Sequence, residues 1–327
     1  MKKSVYYGGV LRTGFYNSTE LLAYAAQYRP TPDELDYRGG VKYGEGKQQY
    51  LNLCTRKDLA ANKKPLFIYV HGGGFISGIT EMRNLYVSNW AKIGFFTASV
   101  SYTYAPKAVY PTQIGEVLSA VDFLFDHAEE YNIDTDNVVI AGESAGGYFI
   151  TYLAAIASDP TLCDKLGIEF RHRDNFKVKA MVSHGGCYDL KRIFDKDNLQ
   201  SKFPDIRPMI CSFIGKTESE TASWLSSEDG KYASPPVTAD FPPTFVIWSQ
   251  YDYLRYEAFD FMNQLDTLGV PYAQFKGKGM VSMHAWTIAT ILKPAKECLN
   301  KAFDFVLPLL PEYFTQINGG FVFTPKG

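Results

Sequence analysis

At 327 residues and 46% hydrophobic, the chain can bury a large core within one α/β domain and a modest insertion. Its 33 Lys and Arg balance 35 Asp and Glu to a formal charge of −2, with no run of like charges, which excludes a nucleic-acid tract or a polybasic membrane anchor as partner surface. No stretch reaches the roughly 18 apolar residues of a membrane span.

In chain order, Met1-Lys2-Lys3 could begin an export signal, but Tyr6-Tyr7-Gly8-Gly9 and Arg12 interrupt any apolar core for one, so the protein is expected to stay unexported. Four short apolar runs follow at Leu66 to Val70, Phe95 to Val100, Asn137 to Ala141 and Val178 to Ser183, alternating with helical patterns. That rhythm predicts βαβ units and a mostly parallel sheet. Between Thr112 and Tyr131, apolar Ile114, Val117, Leu118, Val121, Leu124, Phe125 and Ala128 recur at helical spacing and predict a helix that stops near Asn132. A second helix runs from Ser144 to about Ser158 and ends at Asp159-Pro160. From Lys191 to Asp240 the pattern breaks into Asp, Ser, Pro and isolated aromatics, too long for an ordinary connection, and predicts a helical cap over the sheet. The rhythm resumes with a strand at Thr244 to Ser249, a helix from Tyr256 to Leu268, a strand near Tyr272 to Phe275 and a last helix from Thr287 to Phe305. Cysteines 54, 163, 187, 211 and 298 are scattered and form no C-x-x-C pair, which argues against a disulfide framework or a zinc site and for buried thiols in a reducing cytoplasm.

The strongest chemical signal is Gly142-Glu143-Ser144-Ala145-Gly146-Gly147, a G-x-S-x-G directly after a strand and before a helix. A serine held in such a turn needs small neighbours so that Oγ can project clear, and the helix start behind it favours developing negative charge. The second signal is His71-Gly72-Gly73-Gly74-Phe75 at the end of an earlier strand, where consecutive glycines can aim backbone N–H groups at an oxyanion. A phosphate loop is the rival reading, but no Gly-Lys-Ser/Thr follows. In the α/β-hydrolase fold the triad runs nucleophile, acid, histidine along the chain. Of histidines 71, 127, 172, 184 and 284, only His284 lies after a plausible acid. Asp252 follows the strand two before the histidine loop and is the expected acid; Glu257, inside the next helix, is its rival. His184, at a strand end, is expected to be structural or pocket-lining rather than catalytic.

Together these residues resemble the hormone-sensitive-lipase-like α/β hydrolases, a family of carboxylesterases and acetylesterases. The likeness runs from about Tyr43 to Phe305. His71 to Phe75 is similar to that family's H-G-G-G-F/W motif and Gly142 to Gly147 to its G-D/E-S-A-G-G elbow. Tyr102-Thr103-Tyr104-Ala105-Pro106 resembles its D-Y-R-L-A-P segment, while Asp252-Tyr253-Leu254 and His284-Ala285-Trp286 match its D-P-L and H-x-F stretches. The resemblance implies that Gly73, Gly74 and Ala145 donate the oxyanion N–H groups, and that residues 1–40 join 191–240 in the cap of a single domain. Ser101 and Thr103 stand where the family has Asp and Arg, and Tyr253 where it has Pro. Glu143, with Tyr43-Gly44 and Gln49 to Leu53, also resembles the kynurenine-formamidase-like relatives, so hydrolysis of an aryl formamide is the enzymatic alternative.

The expected function is therefore hydrolysis of small carboxylic esters through Ser144, His284 and Asp252, with no metal or organic cofactor. The contrasting class is a non-catalytic small-molecule-binding homologue, against which all three triad positions are filled. Phe75, Tyr148, Tyr188 and Trp286 crowd the motif loops and are expected to line the substrate site, shortening the acyl pocket to about C2 to C6. Lys191, Arg192, Lys196 and Lys202 make the start of the cap polar, unlike a lipase lid. The role of residues 308–327 and the oligomeric state, a homodimer included, are open at this level.

Overall fold

Leu66, Ile68 and Val70 fall into one buried cluster and their neighbours Phe67 and Tyr69 into another, so this segment is a strand that is apolar on both faces. The segment behind Ser144 repeats the pattern, with Val138 and Ile140 on one side and Val139 and Ala141 on the other. Strands of that kind belong to a sheet covered by helices on both faces.

The computed structural model describes residues 31–195, 205–279 and 281–326. Its main sheet contains β1 (Leu35–Lys42), β2 (Tyr50–Arg56), β3 (Lys64–Val70), β4 (Phe96–Val100), β5 (Ile133–Glu143), β6 (Val178–His184), β7 (Thr244–Ser249) and β8 (Tyr272–Gly277). They lie in the order β1-β2-β4-β3-β5-β6-β7-β8. From β4 to β8 every neighbour is parallel, while β1 and β2 add an antiparallel edge. This is an α/β-hydrolase fold, with the six parallel strands expected from the apolar runs.

The flanking helices are α1 (Asn84–Lys92), α2 (Thr112–Asp126) and α3 (Ala145–Ser158), then α4 (Leu190–Phe194), α5 (Arg207–Ile214) and α6 (Glu218–Leu225), and finally α7 (Arg255–Thr267) and α8 (Lys293–Val306). In α2, Ile114, Val117, Leu118, Val121 and Leu124 are all buried, as their spacing requires. The chain reverses at Asn132, which takes a left-handed conformation (φ 54°). Helices α4 to α6 occupy the segment expected to form a cap. Asp189 caps α4 by accepting from the Lys191 and Arg192 amides, and Thr217 with Glu220 forms a capping box on α6.

Two departures matter. Residues 35–40, expected in an N-terminal cap, belong to edge strand β1 of the main sheet; residues 1–30 lie outside the described part. The residues after Pro308 form a hairpin of β9 (Phe314–Ile317) and β10 (Gly320–Phe323). Phe314 stacks on Phe95, and Tyr313 donates to Asp134 at the start of β5 (2.6 Å), so the hairpin closes the end of the sheet where β5 begins. Among the described residues, no helix is long and apolar enough to cross a membrane.

Candidate active site

Ser144 sits between β5 and α3 with φ 56° and ψ −121°, a conformation that costs a non-glycine residue about 1–3 kcal/mol and persists only where its surroundings enforce it. They do: the Ser144 amide donates to the His184 carbonyl (3.1 Å), and its own carbonyl accepts from the Cys187 amide (3.1 Å). Gly146 is pressed against the Val70 carbonyl so closely that any side chain there would collide with β3. The elbow can form because glycine occupies that point.

The glycine loop after β3 lies alongside. Gly73 has φ 121°, accessible to few residues but glycine, and Gly74 has φ 60°. The N–H groups of Gly73, Gly74 and Ala145 have no acceptor among the described residues, so they remain available to an incoming oxygen. The Tyr102 to Pro106 segment braces the loop from outside. Tyr102 stacks on the His71 ring (4.6 Å between centroids) and donates to the His71 carbonyl (3.0 Å), while the Ala105 amide donates to Phe75 (2.9 Å). At the non-consensus position Thr103, the backbone amide donates to Glu116 (2.6 Å).

Beneath the nucleophile lies a buried charge network that sequence reasoning missed. Glu143 is fully buried and accepts from Arg83 Nε (2.7 Å), Tyr69 (2.5 Å) and the Gly72 amide (2.8 Å). Burial pushes its carboxyl upward, but the Arg83 charge and these donors outweigh it and hold its pKa below the ordinary value. The network ties the glycine loop to the elbow through one carboxylate. The motif contained Glu143, but nothing in the spacing pointed to Arg83, 60 residues away.

The acid and base arrive on the other flank. Asp252 leaves the end of β7, nearly inaccessible, and accepts from His284 Nδ1 at 2.9 Å and from the Leu254 amide at 2.8 Å. With Nδ1–H committed to Asp252, the lone pair is on Nε2, which is buried and has no hydrogen-bond partner. Tyr253 bridges the two halves: its ring packs on His284 (4.4 Å between centroids), and its hydroxyl reaches the Ser144 side chain.

The rival acid Glu257 is far from idle, but its partners are elsewhere: it accepts from Arg192 Nε (2.9 Å) and from the Tyr188 and Asp189 amides (3.1 and 2.9 Å), anchoring α4 to α7. His184 is held by Tyr86 (3.1 Å) and Thr287 (2.5 Å), and burial drives its pKa down to about 4, so it is a neutral strut under the His284 loop.

The four aromatics expected to line the site make contacts of their own. Phe75 stacks on Phe213 of α5 (4.2 Å), Tyr148 donates to the Ala233 carbonyl (2.8 Å), and Tyr188 stacks on Phe261 (4.1 Å). Trp286 packs with Phe275 in the second core cluster. All four are buried. An aromatic beside a motif is driven into the core by the same burial that makes the motif rigid. Met209 of α5, unremarked in the sequence, lies directly over Gly74. Of the cap's basic residues, Arg192 is paired with Glu257 and Asp260, Lys191 is exposed, and Lys196 and Lys202 lie outside the described residues. No group of three metal-ligating side chains occurs among the described residues.

The chain is similar to known esterases in sequence and in fold. The chain is 29% identical to the probable carboxylic ester hydrolase LipM of Mycobacterium tuberculosis over 66% of its own length, which is 48% of LipM's. It is 28% identical to an acetyl esterase of Salmonella paratyphi A over 57% of its length and 54% of the relative's. The chain thus spans about half the length of these relatives. Esterase B from Lactobacillus Rhamnosis shares the fold, with a TM-score of 0.77 over 95% of this chain and 98% of that one at 17% identity. Residues 52–255 match the BD-FAE family model, and the chain belongs to that family and so to the hormone-sensitive-lipase-like α/β hydrolases.

Proposed function

We propose that the protein is a serine carboxylic-ester hydrolase, with Ser144 as nucleophile, His284 as base, Asp252 as the acid that orients it, and Gly73, Gly74 and Ala145 as oxyanion donors. One observation supports the reading above the others: an imidazole fixed through Nδ1 to a buried carboxylate, its Nε2 buried without a hydrogen-bond partner, in a site where a serine occupies a strained strand-to-helix elbow. His284 takes the Ser144 proton as Oγ attacks the ester carbonyl, and the oxyanion N–H groups stabilise the tetrahedral species. His284 then protonates the departing alcohol and activates the water that releases the acid. No step calls for a metal or an organic cofactor.

The substrate is a small ester with a short acyl chain. Met209 pressed over Gly74 and Phe213 stacked on Phe75 bring the cap down on the oxyanion loop, and a relative bears the name acetyl esterase. Each added methylene gains about 0.8 kcal/mol only while there is apolar surface to bury it. Five buried, unpaired cysteines fit a reducing compartment, the cytoplasm.

A fluorophosphonate probe should label Ser144 and nothing else, and p-nitrophenyl esters from acetate to palmitate should give highest kcat/KM between about C2 and C6. A maximum at C10 or beyond would favour a lipase; faster turnover of an aryl formamide than of any ester would favour the formamidase alternative. Absence of labelling and turnover together would leave a binding protein.

A further inference from the structure

Tyr253 departs from the family pattern within the acid loop, and the triad mechanism gives it no task. It directly follows Asp252, its ring covers the His284 imidazole with planes 38° apart, and its hydroxyl reaches the Ser144 side chain. One side chain therefore touches both base and nucleophile. The sheet order settles on which side it does so. Strand β3, with the glycine loop, borders β5 on one flank, while β6 and then β7 lie on the other. The oxyanion donors thus approach Ser144 from the first flank, and His284 and Tyr253 from the second.

In a tetrahedral intermediate the former carbonyl oxygen turns to the oxyanion donors and the leaving oxygen turns to the base that must protonate it. Two oxygens on one tetrahedral carbon lie closer together than a hydrogen bond is long, so a donor beside Oγ on the base's flank lies on the side to which the leaving oxygen, and not the oxyanion, is turned. We infer that the Tyr253 hydroxyl donates a hydrogen bond to the leaving-group oxygen of the ester and so helps determine which alcohols the site can expel. This rests on the ester-hydrolase reading.

The protons balance without any further reactant. During acylation the Ser144 proton passes to His284 Nε2 and from there to the leaving oxygen as the carbon–oxygen bond breaks; the acyl group stays on Oγ, the alcohol departs, and Tyr253 keeps its own proton. Burial raises the phenol well above its usual range, and the Asp252 charge adds to this, so the group remains a donor at any working pH. Its contribution scales with the charge that builds on the leaving oxygen. That charge is concentrated on an alkoxide and dispersed in a nitrophenolate.

Tyr253→Phe keeps the ring over His284 and removes only the hydroxyl. Ethyl acetate and p-nitrophenyl acetate form the same acetyl-enzyme, so kcat/KM isolates acylation for each, and titration with a phosphonate normalises both to active protein. The expected result is a loss of about tenfold or more on ethyl acetate and about twofold on p-nitrophenyl acetate. Equal losses on the two esters, or none on either, overturn the inference while leaving the esterase reading intact. A wild-type protein that neither turns over the esters nor titrates overturns that reading and this inference with it.

Discussion

The two flanks of the site are built on opposite plans. On the β3–β5 flank, glycine loop, elbow and Glu143–Arg83 pair are locked together, with Arg83 and Glu143 side chains only 4% and 1% exposed. On the β7–β8 flank, His284 is 17% exposed and Arg192, which neutralises buried Glu257, is 24% exposed. Burial pushes the Glu257 pKa up to about 7 against the pull of Arg192 and two amides, whereas Glu143 is held low. The same residue type thus behaves oppositely, according to whether its cation and donors are sealed in with it. The oxyanion side is the more tightly sealed of the two, and the acid–base side the more exposed.

The largest expected effects cut across this contrast. Ser144→Ala and His284→Ala, one from each flank, should each lower kcat about 10⁶-fold, with the double variant hardly worse, because the two act as a unit. Asp252→Asn should cost about 10⁴-fold by presenting the wrong imidazole tautomer. Multiplying losses in the double variant, or a mild Asp252→Asn beside a crippling Glu257→Gln, would break the assignment of the base flank.

Stability should separate the flanks. Arg83→Met removes a cation sealed in with Glu143, leaving a fully buried carboxylate only the Tyr69 and Gly72 donors, and should cost about 3–5 kcal/mol in urea unfolding. Arg192→Met removes a partly solvated cation from a carboxyl that is already raised to about 7 and can take up a proton, and should cost less, about 1.5–3 kcal/mol. Equal losses would mean that the seal around Arg83 has no energetic consequence.

The smallest effect is one of sign. Glu143, depressed when folded, contributes stability that is present above the unfolded glutamate pKa of about 4.5 and is lost as pH falls through its folded value. Glu257, raised when folded, binds a proton that the unfolded chain has released between about 4.5 and about 7, so stability falls as pH rises through that window. The slope is at most about 1.4 kcal/mol per pH unit for one group. Urea unfolding from pH 5 to 7.5 should therefore give a flatter profile in Glu257→Gln than in wild type. An unchanged slope would show that Arg192 keeps Glu257 ionised throughout.

The parallel sheet was legible because Leu66 to Val70 and Asn137 to Ala141 are buried on both faces and read as apolar runs. Strand β1 was not, because after Leu35 its residues are half-buried or exposed and Gly39-Gly40 interrupts its register against β2. Motif residues stood out where chemistry restricts the choice to glycine, serine or histidine. Arg83, Tyr69 and Met209 did not, since their roles come from contacts far along the chain that no local spacing encodes. The aromatics beside the motifs are less legible for a related reason: proximity in sequence to Ser144 or His284 does not say which way a ring turns.

The C-terminal hairpin has a consequence for the site. Lys326 bridges to Lys63 and pairs with Glu312 and Asp134, which holds the segment after β10 at the start of β5. Ser144 follows the opposite end of that strand, ten residues away at about 3.3 Å per residue, so roughly 30 Å separates the two. The hairpin and the nucleophile thus work at opposite ends of one strand, and a change at the hairpin can reach Ser144 only through the length of β5.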